Sequence, residues 1–498
     1  VDDLNRGPSG AADLPNDAEV LTPEWWISRL ESQIEDDIPT MDLWWRYFVG
    51  DHPFPGMPEK IRQRVWNSYK AVLERSNANF MGSVIDAVAE RCRPIGFRLG
   101  ADSDFKADLD SWKIWQSSNM DADAPLAIET AFAKGRAFMS IWRHEGDKYP
   151  TIAAEDPGQC IVENEPGSRH RRAAALKMYV DEWTGNDCGD LFLPGWLLPF
   201  KRPSGSSQWQ RDGDPIRNPG GYKGIPIVPL ENRPRLTRAK LKTRKYLLWG
   251  GDSDLADVTS IQDRINETIL NQVIAQWFAA FKQRYATGLV VEEEPVRDAN
   301  GEIMMGSDGK PLMRPVEPFD AWLDRLWTVD SDKVKFGEFG ETDLTGYLKS
   351  RERDLQDLST IKRIPRHYLF QEGQSPSGDA IKSAETGLVA VVRRKHLTLG
   401  DPLEETNRIA RIMAGDGEAA ADSEMVWADP EFQTYGQLVD GVIKEFDGGL
   451  ITWEEAREKL GYTPQQTARA KGQRNLESLL RTVEDEDPEG EPQLDRAA

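Results

Sequence analysis

Between residues 253 and 283 the apolar side chains fall at Leu255, Val258, Ile261, Ile265, Ile269, Val273 and Trp277. Spacings of three and four place them all on one side of an α-helix, because a turn takes 3.6 residues. About 30 residues at 1.5 Å each give a helix of roughly 45 Å, with Asp252 or Ser253 as its cap. Few globular domains need so long a single helix, and the stripe requires partners, from the same chain or from another copy of it.

Two further helices are available. One runs from Thr342 to Ile361 with Leu344, Tyr347, Leu348, Leu355, Leu358 and Ile361 on one face, and Pro365 stops it. Between it and the first helix lies a strand-like stretch, residues 285–339, carrying the turn signals Asp298-Ala-Asn-Gly and Ser307-Asp-Gly-Lys. The other starts at Ser377, after a polar loop, and continues through Ile381, Ala384, Leu388, Val391 and Val392 to His396. Asp401-Pro-Leu-Glu404 then reads as a fresh cap, which predicts a break or kink near Gly400 and renewed helix to Met413.

The rest of the chain is mixed. Thr22-Pro23 opens a helix, and further helices are expected over residues 58–75 and 77–92, the latter ended by Pro94. Short β-rich runs follow at residues 136–143, 151–154, 160–163, 174–180 and 191–198, with helices at 104–120 and 122–134. Residues 434–480 return to helix, with a capping box at Thr452 and Glu455 and a new start at Thr463-Pro464. From Val483 the tail is acidic and expected to be disordered. The fold class is α+β, predominantly helical.

Composition narrows the function classes. With 17 Trp and 17 Phe the chain is too aromatic to be disordered as a whole. Its net charge of −22 argues against tight nucleic-acid binding, which depends on cations neutralising phosphates. It leaves open a protein past which DNA slides, since an acidic wall repels the backbone; an ordinary acidic cytoplasmic protein fits the charge equally. Cys92, Cys160 and Cys188 are odd in number and widely spaced, which reads as reduced thiols. No apolar run reaches the roughly 18 residues of a membrane span, and residues 1–6 lack the pattern of a signal peptide.

Catalytic patterns are missing. Gly306-Ser-Asp-Gly-Lys-Pro lacks the spacing of a phosphate-binding loop, and no strand–GxGxxG–helix unit or HExxH occurs. His52, His144, His170, His367 and His396 never approach metal-ligand spacing. Ser375 is followed by Pro and Ser where a nucleophile elbow needs glycine two residues on. No catalytic residue, cofactor or metal is expected, and the chain reads as not an enzyme. The basic clusters at residues 169–172, 240–245 and 393–395 read as solvated faces or as bridges to nearby acids.

Five phrases carry a family resemblance. They are Asp257-Val-Thr-Ser-Ile-Gln-Asp-Arg-Ile-Asn-Glu-Thr268, Gly373-Gln-Ser-Pro-Ser-Gly-Asp-Ala-Ile-Lys-Ser-Ala-Glu-Thr-Gly-Leu388, residues 319–327, Lys335-Phe-Gly-Glu-Phe339 and Val426-Trp-Ala-Asp-Pro430. In this order they resemble portal proteins of tailed double-stranded DNA phages, of the long-tailed actinobacteriophage type. The resemblance implies a portal fold of wing, stem, clip and crown, assembled as a ring of about twelve subunits at one capsid vertex. On this chain it implies a flexible arm at 1–22, wing at 23–250 and 379–430, and stem helices at 251–284 and 341–363. The clip would occupy 285–340, a tunnel loop 364–378, the crown 431–480 and a disordered acidic tail 481–498.

Further implications concern partners and site residues. The implied partners are the major capsid protein, the terminase large subunit during packaging, then a head–tail adaptor, with double-stranded DNA passing through without sequence preference and no membrane involved. Gln371, Glu372, Gly373, Gln374, Ser375, Pro376 and Ser377 would line the DNA channel. Leu255, Val258, Ile261, Ile265, Ile269, Val273, Leu344, Leu348 and Leu355 would pack stem helices, between subunits as well as within one. Localisation would be the virion, after assembly in the host cytoplasm. The alternative is another virion component, such as an adaptor or a capsid-associated protein.

Overall fold

Helix α1 (Pro23–Val49) starts where Thr22 accepts the Trp25 amide at 3.3 Å and ends at Gly50, whose φ is 85°. The computed structural model describes residues 21–53, 76–99, 106–234, 250–280, 284–287, 293–297, 301–306, 309–315, 335–338, 343–370, 378–416, 423–431 and 435–485. The chain divides into two units, one of residues 1–53, 79–262 and 356–498, the other of 54–78 and 263–355. The expected helix at 58–75, the basic run at 240–245 and the phrase at 319–327 lie outside the described residues.

In the first unit, α2 (Met81–Ala89) is shorter than the expected 77–92, because Asn79 accepts the Met81 and Gly82 amides and fixes the start. Strands β1 (Pro94–Leu99) and β2 (Lys106–Ala107) precede α3 (Leu109–Ser117), capped by Asp108, and α4 (Met120–Lys134). Strands β3 (Arg136–Trp142) and β4 (Thr151–Glu155) come next. A six-stranded antiparallel sheet follows, built from β5 (Cys160–Asn164), β6 (Arg172–Asp181), β7 (Asn186–Leu193), β8 (Trp196–Arg202), β9 (Gln210–Arg211) and β10 (Ile216–Arg217). The run at 191–198, read as one strand, is a hairpin: Leu193 pairs with Trp196, and Gly195 at φ 81° closes the turn. The turn signal was present in the sequence as Pro194-Gly195.

Strand alternation gives this sheet two buried faces. Ala174, Leu176, Leu191, Leu198 and Phe200 meet Trp26, Ile27, Leu30 and Ile34 of α1. The intervening Ala175, Phe192 and Leu197 meet Phe138, Ile225 and Ile227 on the other side. Strand β11 (Ile227–Glu231) then pairs with β3. Close by, the backbone of Gly251 passes so near Gly135 that a Cβ would lie 2.0 Å from the Gly135 carbonyl oxygen, so no side chain fits there.

Helix α5 (Thr259–Ala280) starts later than the expected Ser253. Ser253 Oγ accepts the Leu255 amide and the chain winds in three-residue turns to Val258, so the regular helix spans roughly 33 Å. The second unit continues with β12 (Arg284–Thr287), β13 (Glu293–Pro295), β14 (Met313–Pro315) and β15 (Lys335–Glu338). β12 pairs with β15 and β13 with β14, the latter hairpin extended by bridges between Arg297 and Ile303 and between Met305 and Pro311. Helix α6 (Thr345–Lys362), like α5, has residues in both units. It ends at Arg363, whose φ is 56°, with the Ile364 amide returning to the Ser359 carbonyl.

Helix α7 (Gly378–Ala414) corrects the expected break: it is one element with Pro402 inside. Pro402 lacks the amide that would bond four residues back, at a cost of about 3 kcal/mol. Leu399 and Leu403, both buried on either side of it, offset that, since each contributes roughly 1.5–3 kcal/mol. The helix stops at Gly415, φ 98°, with the Asp416 amide bonded to the Arg411 carbonyl. Strand β16 (Ser423–Trp427) pairs antiparallel with β1, and helices α8 (Tyr435–Asp447), α9 (Trp453–Lys459) and α10 (Pro464–Asp485) complete the first unit. The capping box of Thr452 and Glu455 is present at α9. Val483, expected to open the disordered tail, lies within α10.

Candidate functional site

Arg91 follows α2, and three distant segments converge on it. Its guanidinium donates to both oxygens of Glu385 on α7, at 3.4 and 3.2 Å. It also donates to the Pro430 carbonyl at 3.0 Å and to the Tyr368 hydroxyl. Tyr368 in turn donates to Glu385 at 3.2 Å, and burial pushes its phenol above the ordinary value. His367 Nε2 stands 3.6 Å from the same carboxylate and packs edge-on against Tyr368. One turn and a half further along α7 than Val391, His396 stacks on Trp427 at 4.5 Å, with Nε2 3.2 Å from the Arg91 carbonyl. Burial holds that imidazole below its usual pKa.

This geometry brackets a segment. Tyr368 precedes residues 371–377 and Glu385 follows them, and both are held by one arginine. The residues expected to line a channel, Gln371, Glu372, Gly373, Gln374, Ser375, Pro376 and Ser377, lie outside the described residues.

A second charge cluster sits at the start of α5. Lys362 donates to the Asp254 carbonyl and to Asp257, and Arg233 reaches Asp257 at 3.5 Å. Burial works against the Asp257 carboxylate, but Lys362 and Arg233 outweigh it and hold its pKa below the ordinary range. Lys395 of α7 donates to Asp254 at 2.6 Å and to Asn232, and lies 4.4 Å from the Phe132 ring; burial lowers its pKa. Along α5, Gln262 accepts the Phe80 amide at 3.1 Å. In the second unit Asn266 accepts the Ala78 amide at 3.2 Å, and Arg264 pairs with Asp354 at 2.9 Å. The polar positions of the phrase 257–268 thus act as clamps on backbone and acids.

The expected helix-packing residues divide by burial. Leu255, Val258, Ile261, Ile265 and Leu355 are buried within the single chain. Ile269, Val273 and Leu344 are half-buried and Leu348 is 41% exposed. Of the basic clusters, Arg171 pairs with Glu165, Arg172 with Glu405 and Arg393 with Glu431. The three cysteines are free thiols, and burial pushes Cys92 up to about 12. Among the described residues no group of His, Cys, Asp and Glu is arranged to hold a metal ion, and no helix is long and apolar enough to cross a membrane.

Sequence reasoning missed Arg91, Tyr368 and Asn232, because nothing local marks them. Glu385, Trp427 and Pro430 do lie inside the quoted phrases, though Pro430 contributes only its backbone carbonyl, which no side chain marks.

In these clusters the charged side chains engage other parts of the same chain and position its segments. The chain belongs to the family of phage portal proteins, SPP1 Gp6-like, whose sequence pattern matches residues 27–471. It is 26% identical to the portal protein of Mycobacterium phage D29 over 467 residues, 91% of this chain and 88% of the relative. With the portal protein of Mycobacterium phage L5 it is 27% identical over 497 residues, covering 96% and 94%. A chain in the virion of a native gene transfer agent particle is similar at 9% identity and a TM-score of 0.39, covering 86% of this chain and 98% of that one.

Proposed function

We propose that this chain is the subunit of a portal ring at one vertex of a phage capsid, through which the genome enters during packaging and leaves at ejection. The observation that carries the reading is the family match over residues 27–471. In this reading residues 285–340 form the clip, which meets the terminase during packaging and the head–tail adaptor afterwards. Residues 371–377 form the channel loop, and the Arg91–Glu385–Tyr368 cluster holds its two ends together. The loop's neutral polar groups, Gln371, Gln374, Ser375 and Ser377, touch a passing phosphate backbone weakly, without anchoring it. The major capsid protein surrounds the ring. The role is mechanical and the chain does no chemistry of its own.

Electron microscopy of the purified particle tests the ring: a closed oligomer with a central channel is expected, and a monomer under assembly conditions sinks the reading. Deleting residues 371–376 tests the loop. Rings are expected to assemble while DNA packaging or retention falls; unchanged packaging overturns the loop's role.

A further inference from the structure

The turn between β6 and β7 carries an anchor with nothing to hold. Trp183 is 98% exposed, flanked on the hairpin by exposed Val180 and Tyr179. The turn is nevertheless ordered by its own bonds: Asp181 accepts the Trp183 amide at 3.0 Å and the Thr184 hydroxyl at 2.6 Å. Asp181, Glu182 and Asp187 make the hairpin end acidic, with Asp187 partly neutralised by Arg202. An indole presented on an ordered turn is, with tyrosine and arginine, among the side chains most enriched at the energetic centre of a protein interface.

The complementary surface lies on the same chain. A groove of about 610 Å³ runs along the outer face of α7. Val389, Ala390 and Leu397 give it an apolar floor, and Leu397 is 77% exposed. Lys382, Arg393 and Arg394 rim it. Its two acids are already engaged, Glu385 by Arg91 and Glu431 by Arg393. Among the described residues neither Lys382 nor Arg394 has an acidic partner.

We propose that the Trp183 hairpin of one subunit inserts into the α7 groove of a second copy of this chain, indole on the Leu397 floor and Asp181 and Glu182 beside Arg394 and Lys382. This rests on the ring reading, which calls for a heterologous interface: two different faces of one subunit that meet around a closed ring. The two faces here are opposite in charge and alike in carrying an exposed apolar centre. The hairpin does not fill the groove within its own chain, since Trp183 stands in solvent. Double-stranded DNA does not suit the hairpin, because its carboxylates repel phosphates.

The test pairs Trp183→Cys with Leu397→Cys in the full chain carrying Cys188→Ser, because that free thiol is partly exposed on the same hairpin, oxidises it, and runs it on a non-reducing gel, while native mass spectrometry counts subunits. The double variant is expected to give a ladder of covalent multimers that neither single variant gives. Rings without a ladder overturn the contact and leave the ring standing. Dimers from Trp183→Cys alone point to hairpin meeting hairpin and also overturn it. Absence of rings in the unmodified chain overturns the ring reading and the contact together. As a second measurement, Trp183→Ala is expected to reduce the ring population at fixed concentration roughly tenfold or more. Unchanged rings with poorer incorporation into capsids assign the indole to a different virion protein and overturn the proposal.

Discussion

The sheet from β5 to β8 and the hairpin of β13 and β14 are both antiparallel, and they treat apolar side chains in opposite ways. Leu30, Ile34, Leu176 and Leu191 are fully buried between α1 and the sheet. On the hairpin Ile303, Met304, Met305, Leu312 and Met313 are all exposed, Met305 at 59%. Hydrogen bonds fix the hairpin backbone, yet its side chains cover nothing of their own. The sheet is held by contacts inside one chain, and the hairpin presents its apolar surface outward. Methionine suits such a surface, since its unbranched thioether adapts to partners of different shape.

The comparison breaks first at buried charge. Arg411 donates to Asp108 at 2.8 Å in the core of the first unit, with Ser111, Asn407 and Ser423 bonded around them. Arg411→Ala leaves that carboxylate buried and unpaired, and about 3–5 kcal/mol of stability should be lost. Urea unfolding of the intact chain checks it, and a loss under about 1 kcal/mol would mean the site is wetter than its burial implies.

Next comes the sheet itself. Burial raises the Asp190 carboxyl to about 6, opposed by Lys177 and aided by Glu155. An unfolded aspartate titrates near 3.9, so between roughly pH 4 and pH 6 the native state holds more protons and stability falls as pH rises. Asp190→Asn removes that penalty. It is expected to gain about 2–3 kcal/mol at neutral pH and almost nothing below roughly pH 4, and denaturant midpoints at the two pH values decide.

A smaller effect is expected at the α9 cap. Thr452→Ala removes the bond to the Glu455 amide, 3.2 Å long, and should cost about 1 kcal/mol in the same unfolding assay. Smallest of all, replacing Met304 and Met305 by Ser should move the isolated chain's stability by less than about 0.5 kcal/mol. The contrast between sheet and hairpin is sharpened if that double variant binds the proposed partners, terminase or adaptor, less well while unfolding normally. A large stability loss would instead place those methionines in a core.

What was legible in the sequence follows from how local each determinant is. Thr22-Pro23, Thr452 with Glu455 and Thr463-Pro464 act within one turn, and helices begin at all three. The start of α5 was misplaced because Ser253 has a cap's chemistry but spends it on a turn two residues long. From sequence Pro402 points to a break or kink, because propensity counts the lost amide and not the burial of Leu399 and Leu403; the helix does not break there. The charge clusters were illegible. Arg91 and Glu385 are separated by 294 positions and Asp108 and Arg411 by 303, so only the folded chain brings them together. The family's phrases did contain Glu385, Asp257 and Gln262, without saying what they hold.

The Arg91 cluster has a mechanical consequence. Because Tyr368 and Glu385 are bonded to each other as well as to Arg91, the segment that ends at Phe370 and the helix that begins at Gly378 are tied at one point. A pull on either one is shared at a single guanidinium. It loads the Tyr368 and Glu385 bonds together, so neither segment leaves without straining the other.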